Sequence, residues 1–187
     1  MVQAGEDISA WRKVGLKALV QIVQEARDNN QYCFIWDKQG SVATFMNIKG
    51  HLISVGPPCM KALLGQGTLQ DAGEEIRKGF VAAMLNGSSL CLDIDRVKAN
   101  FNGMNQEGTF VGSQVFDWAW MATEANYMTY VRENENHGIG GINPGRGYIR
   151  NNEFSCSIRS GAEDEEVLRA QIALIPNFDQ MMKVVIE

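Results

Sequence analysis

Hydrophobic residues along the chain follow two patterns, short unbroken apolar runs and longer stretches with three- and four-residue spacing. Unbroken runs of this length predict strands that are buried on both faces of a sheet. Five strands are predicted, over residues 32–37, 51–55, 89–95, 154–159 and 182–186. Helical patterns separate them, and strands joined by helices pair in parallel. The prediction is a three-layer α/β fold with a mainly parallel five-stranded sheet and helices on both faces.

Helical spacing is clear at three places. Apolar residues repeat along residues 7–28, which predicts an N-terminal helix. Residues 68–71 have the form of a capping box, and Asn86-Gly87 is a typical helix stop, so a second helix is predicted between them. An aromatic-rich helix is predicted from 113 to about 133.

Two long segments rich in asparagine and glycine, 100–112 and 134–152, flank the aromatic-rich helix. Both are therefore expected to close over the same edge of the sheet. Glycine loses more conformational entropy than other residues on ordering. We expect an outward-facing tryptophan, a partner surface or both to stabilise these loops. No internal repeat is present, and the whole chain, 1–187, is predicted to form a single α/β domain.

The composition and charge of the chain exclude several functional classes. The chain has 187 residues, 17 Lys and Arg, and 22 Asp and Glu, for a net charge of −5. An acidic chain lacks the basic surface that nucleic acid or an anionic membrane attracts. No apolar run is long enough to span a bilayer, and the first residues lack the apolar core of a secretory signal. We expect a cytoplasmic protein that neither binds nucleic acid nor inserts into membranes.

The cysteines and histidines give no metal-site spacing. The four cysteines contain no Cys-x-x-Cys pair, and His51 and His137 lie far apart. Reduced cysteines inside apolar strands behave as small hydrophobic residues, so neither a metal site nor a disulfide is predicted. A nucleophilic pair of Cys156 with His137 is the minor alternative.

A resemblance to a known family extends over residues 32–95. The stretch FIWDKQGSVATFM, then HLISV, a helix and NGSSLCLDID, resembles the non-hydrolysing late AAA modules of dynein heavy chains. It is also similar to the C-terminal domain of ciliary proteins with IQ motifs and ankyrin repeats. The resemblance implies a P-loop-NTPase-like order of elements. It also implies a helix over 41–48, where the pattern alone equally allows a hairpin strand.

The departures from a working P-loop concern the phosphate-binding turn. Phosphate binding there requires G-x-x-x-x-G-K-[ST], whose backbone amides and lysine hold the phosphates. The chain has DKQGSVAT instead, with one glycine, no lysine after it, and the negative charge of Asp37. Nucleotide hydrolysis is not expected, and no catalytic residue and no cofactor is predicted. Asp93 and Asp95 would then keep the shape of a metal site without a metal–nucleotide, or Asp95 would cap the next turn.

A second glycine-rich stretch, 140–147, imitates a phosphate loop but lacks the Ser/Thr that would contact Mg²⁺ and follows a helix. We interpret it as a structural or partner-contact loop, with anion binding through Arg146 or Arg150 as the minor alternative. Trp118 and Trp120 are two residues apart, about 200° around a helix, so one of them is expected to face outward. The predicted partner contacts are Trp118, Trp120, His137, Arg146 and Arg150.

Two functional hypotheses follow. The first is a non-catalytic structural or interaction subunit of a larger intracellular assembly, which the resemblance places in a cilium or another microtubule-based structure. The second is a Rossmann-like small-ligand or nucleotide-binding domain or enzyme. Its site would lie at the carboxyl ends of the strands, near Asp37, Gly40, Ser54 and Asp95.

Overall fold

One parallel sheet of six strands organises the part of the chain that the structure describes. The structure is a computed structural model, and it describes residues 6–138 and 147–187. The strands are β1 (Arg12–Val14), β2 (Cys33–Trp36), β3 (His51–Ser54), β4 (Ser89–Asp95), β5 (Ser155–Ser160) and β6 (Met182–Ile186). They lie in the order β1-β6-β2-β5-β4-β3, and every pair is parallel.

Helices connect these strands. They are α1 (Leu19–Asp28), α2 (Ser41–Lys49), α3 (Gly56–Leu63), α4 (Leu69–Asn86), α5 (Gly112–Val115), α6 (Trp118–Ala122), α7 (Glu124–Tyr127) and α8 (Glu165–Ile172). Short 3₁₀ turns occupy Ile8–Ala10, Leu16–Ala18, Asn102–Met104, Met128–Tyr130, Glu133–Glu135 and Phe178–Gln180. In the described ranges, none of these helices is long and apolar enough to cross a membrane.

Helices cover both faces of the sheet, as predicted. Helices α1 and α2 pack on the face that presents Cys33, Ile35 and Cys91. Helices α4 and α8 pack on the opposite face, which presents Phe34 and Leu92. Successive strand residues point to opposite faces, so both faces need apolar residues when both are covered. This explains the unbroken apolar runs of the central strands.

The five predicted strands are all present. Strands buried on both faces are predicted, and six residues of the central strands are indeed buried: Cys33, Ile35, Leu90, Leu92, Cys156 and Ile158. Residues 41–49 are helical, as the family resemblance implies. The capping box is formed, with the Thr68 hydroxyl accepting from the Asp71 amide. Helix α4 ends at Gly87, whose φ of +68° is the left-handed conformation that glycine adopts readily.

The predicted N-terminal helix over 7–28 is wrong in its first half. A 3₁₀ turn that Asp7 caps comes first, then the edge strand β1, and the α-helix begins only at Leu19. The sheet therefore has six strands rather than five. Trp11, which fits the helical spacing, is buried against Phe34 and Phe178 although it is not in a helix. The apolar spacing at the start of the chain therefore reflects burial of a non-helical segment.

The aromatic-rich helix predicted from 113 to 133 is also wrong, because the segment is three short helices and 3₁₀ turns. Asp117 and Thr123 are both extended, with ψ of 109° and 125°. The Asp117 carboxylate accepts from the Trp120 amide at 2.9 Å, so it starts a new helix instead of continuing the preceding one.

The segment 100–112 is stabilised by its own apolar residues. Phe101, Met104 and Phe110 are fully buried, and the ring centroids of Phe101 and Phe116 lie 4.9 Å apart in an edge-to-face contact. The sequence pattern did not indicate this internal packing of the loop on the core. Burial of these apolar side chains stabilises the ordered loop.

A buried arginine fixes the 128–138 segment to helix α4. Arg77, with a side chain 1% exposed, donates to both carboxylate oxygens of Glu135 at 2.7 and 2.9 Å. It also donates to Glu74 at 2.8 and 3.0 Å and to the Tyr130 carbonyl at 2.6 Å. These hydrogen bonds from Arg77 lower the pKa of Glu74 and of Glu135.

Replacing Arg77 with methionine is expected to destabilise the protein by about 3 kcal/mol, because two carboxylates lose a buried partner. The matched control is Lys78→Met, which removes an exposed lysine 3.8 Å from Glu74 and is expected to cost less than about 0.5 kcal/mol. Urea unfolding measures both. Equal losses for the two variants would contradict the structural role of Arg77.

The same cluster makes stability depend on pH. A carboxylate whose pKa is lowered by folding stabilises above its unfolded pKa, about 4.3 for glutamate, and this contribution is lost as pH falls below that value. We expect part of the acid destabilisation of the native chain below about pH 4.3 to be missing in Arg77→Met. Urea unfolding of both proteins across that pH range measures the difference.

Candidate functional site

Four charged residues meet at the carboxyl edge of the three central strands. Asp37 directly follows β2, Asp93 and Asp95 lie at the end of β4, and Arg159 is in β5, between those two strands. Ligands of open parallel sheets bind at this edge. We therefore treat these four residues, called the Arg159 cluster below, as the candidate site.

Asp37 occupies the N-terminus of α2. Its fully buried carboxylate accepts from the Val42 amide at 2.8 Å, from the Gln39 amide at 3.2 Å and from the Ser41 hydroxyl at 3.1 Å. Gly40, with φ of +76°, allows the tight turn between strand and helix. Free backbone amides at the start of a helix can bind an anion, and here they bind the chain's own carboxylate.

Arg159 joins the two strand ends. Its side chain is 4% exposed, and its Nη1 donates to Asp93 at 3.0 Å and to Asp95 at 2.9 Å. Its Nη2 donates to the Asp37 carbonyl at 2.6 Å, and its Nε lies 3.5 Å from the Asp37 carboxylate. Burial lowers the pKa of Arg159, but the hydrogen bond and charge of Asp93, with those of the other carboxylates, raise it overall. The guanidinium therefore stays charged.

Asp95 holds an unusual backbone conformation at the surface side of the cluster. Its φ is +42°, and its side chain is 57% exposed. Gln171 of α8 donates to the Asp95 carbonyl at 2.8 Å and accepts from the Ser160 hydroxyl at 2.6 Å. These bonds stabilise a conformation that non-glycine residues adopt at a cost, and they tie α8 to the sheet edge.

The structure brings together the predicted residues Asp37, Gly40 and Asp95 at one edge of the sheet. It also shows that the three carboxylates face a shared arginine. In the described ranges, no group of three histidine, cysteine or acidic side chains is arranged to hold a metal ion. The arrangement joins strand ends and caps a helix, and both roles are structural.

Sequence reasoning missed Arg159. The available signal was an arginine inside the strand Ser155–Ser160, all of whose residues are buried. A charged residue is rarely buried unless it is paired, so an arginine within a predicted buried strand indicates carboxylate partners on the neighbouring strands.

Both predicted contact tryptophans are half-buried. Trp118 lies against Tyr32, with ring centroids 5.2 Å apart, and Trp120 lies against Tyr130 at 5.6 Å. Both pack on the core of the α4–α8 face. Both lie in the short helix α6, and an aromatic ring packs against each of them, so neither tryptophan points freely outward as expected.

The remaining predicted partner contacts differ in their surroundings. His137 is exposed, with Nδ1 3.1 Å from the Gly138 carbonyl oxygen. Arg150 is half-buried, and its guanidinium lies over the rings of Trp118 and Phe154 at 4.9 and 5.4 Å. Arg146, with nearly all of the glycine-rich stretch 140–147, lies outside the described residues.

The cysteines are free and buried. Burial raises the pKa of Cys33 and of Cys91 to about 12, and it raises the pKa of Cys156 well above its usual value. Because the thiolate is the nucleophile, a protonated, buried Cys156 does not suit the alternative of a pair with the exposed His137.

Comparisons of the chain with known protein families, with curated proteins and with solved structures find no match. The functional argument therefore depends on the geometry described above.

Replacing Arg159 with glutamine is expected to cost about 3–5 kcal/mol, because it leaves the carboxylates of Asp37 and Asp93 buried without their cation. Arg159→Lys is expected to recover only part of this, since an ammonium cannot span both strand ends. Arg96→Gln, which removes an exposed pair with Glu163, is the control, and less than about 0.5 kcal/mol is expected. Urea unfolding measures all three. A loss for Arg159→Gln as small as that of the control would contradict the role assigned to Arg159.

Proposed function

We propose that the chain is a non-catalytic interaction subunit of a larger intracellular assembly, of the ciliary or microtubule-associated kind that its family resemblance implies. The observation that carries the proposal is the position of the Asp37 carboxylate, which takes the hydrogen-bond donors of the turn between β2 and α2. A phosphate cannot use donors that a buried anion already uses, and it would be repelled by that anion.

The arrangement of the strands supports the relation to P-loop modules. Strand β2, which precedes the Asp37 turn, is central, and β5 separates it from β4, which carries Asp93 and Asp95. A P-loop-like module would place its phosphate turn and its metal-orienting acid at these two strand ends. Here Arg159 lies between them and neutralises charge that Mg²⁺ would otherwise neutralise. We infer a nucleotide site converted into an internal ion-pair cluster.

The partner-contact region is proposed to include Trp118, Trp120, His137, Arg146 and Arg150. Trp118 and Arg150 are in contact, which places two of these residues side by side. Half-buried tryptophan and arginine side chains are the residue types that contribute most to interfaces. Trp118 and Trp120 pack on the core of the face that α4 and α8 cover.

The native chain is expected to show no saturable binding of millimolar ATP with Mg²⁺ by calorimetry, because the Asp37 carboxylate repels a triphosphate. Asp95→Ala provides the control for specificity. Saturable binding to the native chain that is lost in Asp95→Ala would overturn the proposal and favour the small-ligand or nucleotide-binding alternative.

Removing the internal anion should reverse this behaviour toward phosphate. In Asp37→Ala the amides of the turn and of α2 lose their acceptor, and Nε of Arg159 loses its neighbouring carboxylate, so inorganic phosphate is expected to raise the melting temperature of this variant but not of the native chain. Asp71→Ala is the matched control, since it removes a carboxylate from the start of α4, where no arginine is within hydrogen-bonding distance of Asp71 among the described residues. If phosphate changes the melting temperatures of both variants equally, the proposal that the Asp37 turn is a converted phosphate-binding turn is contradicted.

Partner binding is expected to fall when Trp118, Trp120 or Arg146 is replaced by alanine, by roughly tenfold or more for a buried interface side chain. Recovery of copurifying proteins from a ciliary extract measures this, with melting temperatures measured in parallel. The control is Ile48→Ala, which removes an exposed apolar residue on the opposite face. If all variants keep their partners and only stability falls, these residues are core packing and the docking role is wrong.

A further inference from the structure

Arg150 has a hydrogen-bonding edge that no described residue uses. Its Nε and Nη2 are both buried, and neither has a hydrogen-bond partner among the described residues. These two atoms form one side of the guanidinium, the side that binds both oxygens of a carboxylate in parallel. Burying polar donors without partners is costly, so an arginine in this state is unusual.

The surroundings of Arg150 hold it in place without pairing it. Its guanidinium lies 4.9 Å from the Trp118 ring and 5.4 Å from the Phe154 ring. Its own backbone amide donates to the Tyr127 hydroxyl at 3.4 Å. Stacking on aromatic faces positions a guanidinium and excludes water from it, while its donors remain available in the plane of the group.

Tyr32 adds a second unpaired group beside the same two rings. Its residue is 2% exposed, and its hydroxyl has no hydrogen-bond partner among the described residues. Tyr32 contacts both Trp118 and Phe154, with ring centroids 5.2 and 6.5 Å away. Burial raises the pKa of Tyr32 well above its usual value, so it is a neutral donor. Two unpaired donor groups therefore contact one aromatic pair.

Two buried arginines, Arg77 and Arg159, find their charge partners within the chain. Arg77 meets the carboxylates of Glu74 and Glu135, and Arg159 meets those of Asp37, Asp93 and Asp95. In the described ranges, no carboxylate forms an ion pair with Arg150. The missing group has the chemistry of the groups that satisfy the other two arginines.

We propose that Arg150, stacked on Trp118 and Phe154, is a receptor for a glutamate or aspartate side chain of a partner protein. This inference rests on the proposed interaction role and names the chemistry that the partner presents there. The neighbouring Ile149 is exposed and Arg150 is only half-buried, so this part of the chain lies at the surface. The acidic side chain would bind the Nε–Nη2 edge in a bidentate manner, with local movement of the 147–152 segment.

The test uses two capped tripeptides that differ in one group, with glutamate or glutamine at the centre. Binding to the full chain is followed by tryptophan fluorescence, since Trp118 contacts the guanidinium, and by the Arg150 Nε–H resonance in ¹H–¹⁵N spectra. The glutamate peptide is expected to bind saturably at millimolar concentration and to shift the Nε–H signal. The glutamine peptide is expected to bind at least tenfold more weakly.

Substitutions of Arg150 distinguish a role in binding a carboxylate from a role in packing. Arg150→Gln is expected to abolish the response to glutamate, and Arg150→Lys to weaken it at least tenfold, because an ammonium cannot form the bidentate pair. Arg150→Gln should fold with undiminished stability, since it removes a cation that has no ion pair among the described residues. Arg96→Gln, an exposed arginine bound to Glu163, is the matched control and should leave binding unchanged.

Three outcomes would overturn the proposal. These are no response to the glutamate peptide, equal responses to both peptides, or a response retained in Arg150→Gln. None of them affects the nucleotide and phosphate measurements at Asp37. The carboxylate receptor can therefore fail while the proposal of a non-catalytic module stands, and the reverse also holds.

Discussion

The ion pairs of Arg159 are the constraint on which the arrangement of the sheet edge depends. A parallel sheet places the carboxyl ends of its strands side by side, and here three of the groups at that edge are carboxylates. Without the cation on β5 between them, these carboxylates would lie close together with no charge partner. One buried arginine therefore fixes the Asp37 turn, the end of β4 and, through Asp95 and Gln171, helix α8.

The central strands could be predicted because burial on both faces leaves an unbroken apolar run. Edge strand β1 could not, because its Arg12 and Lys13 are exposed and its pairing with β6 joins residues about 170 positions apart. Local sequence contains no signal for such a partner. The aromatic segment failed for a related reason. Its apolar spacing predicts a helix, whereas the Asp117 side chain binds a backbone amide and starts a new helix.

The sequence could predict which acidic residues form the candidate site, but not what their carboxylates bind. Asp37 and Asp95 follow apolar runs, so the sequence indicates that both lie at the ends of strands. Whether those carboxylates bind a metal–nucleotide or an arginine depends on β5, which pairs with both strands only in the folded sheet. Arg159 forms ion pairs with both Asp93 and Asp95. The same residues that resemble a metal site in sequence are ion-pair partners in the structure.

Three arginines differ in whether carboxylates of the chain itself compensate their charge. Arg77 and Arg159 are buried among carboxylates of the chain itself, so the charge of each is compensated within the fold. Arg150 is stacked on aromatic rings, and burial lowers its pKa, because no carboxylate of the described residues offsets the lost hydration. Stability alone would favour a neutral residue there. An arginine with an unused bidentate edge agrees with the proposed receptor for a partner's carboxylate, which would make the aromatic segment, and not the Asp37 turn, the interaction surface.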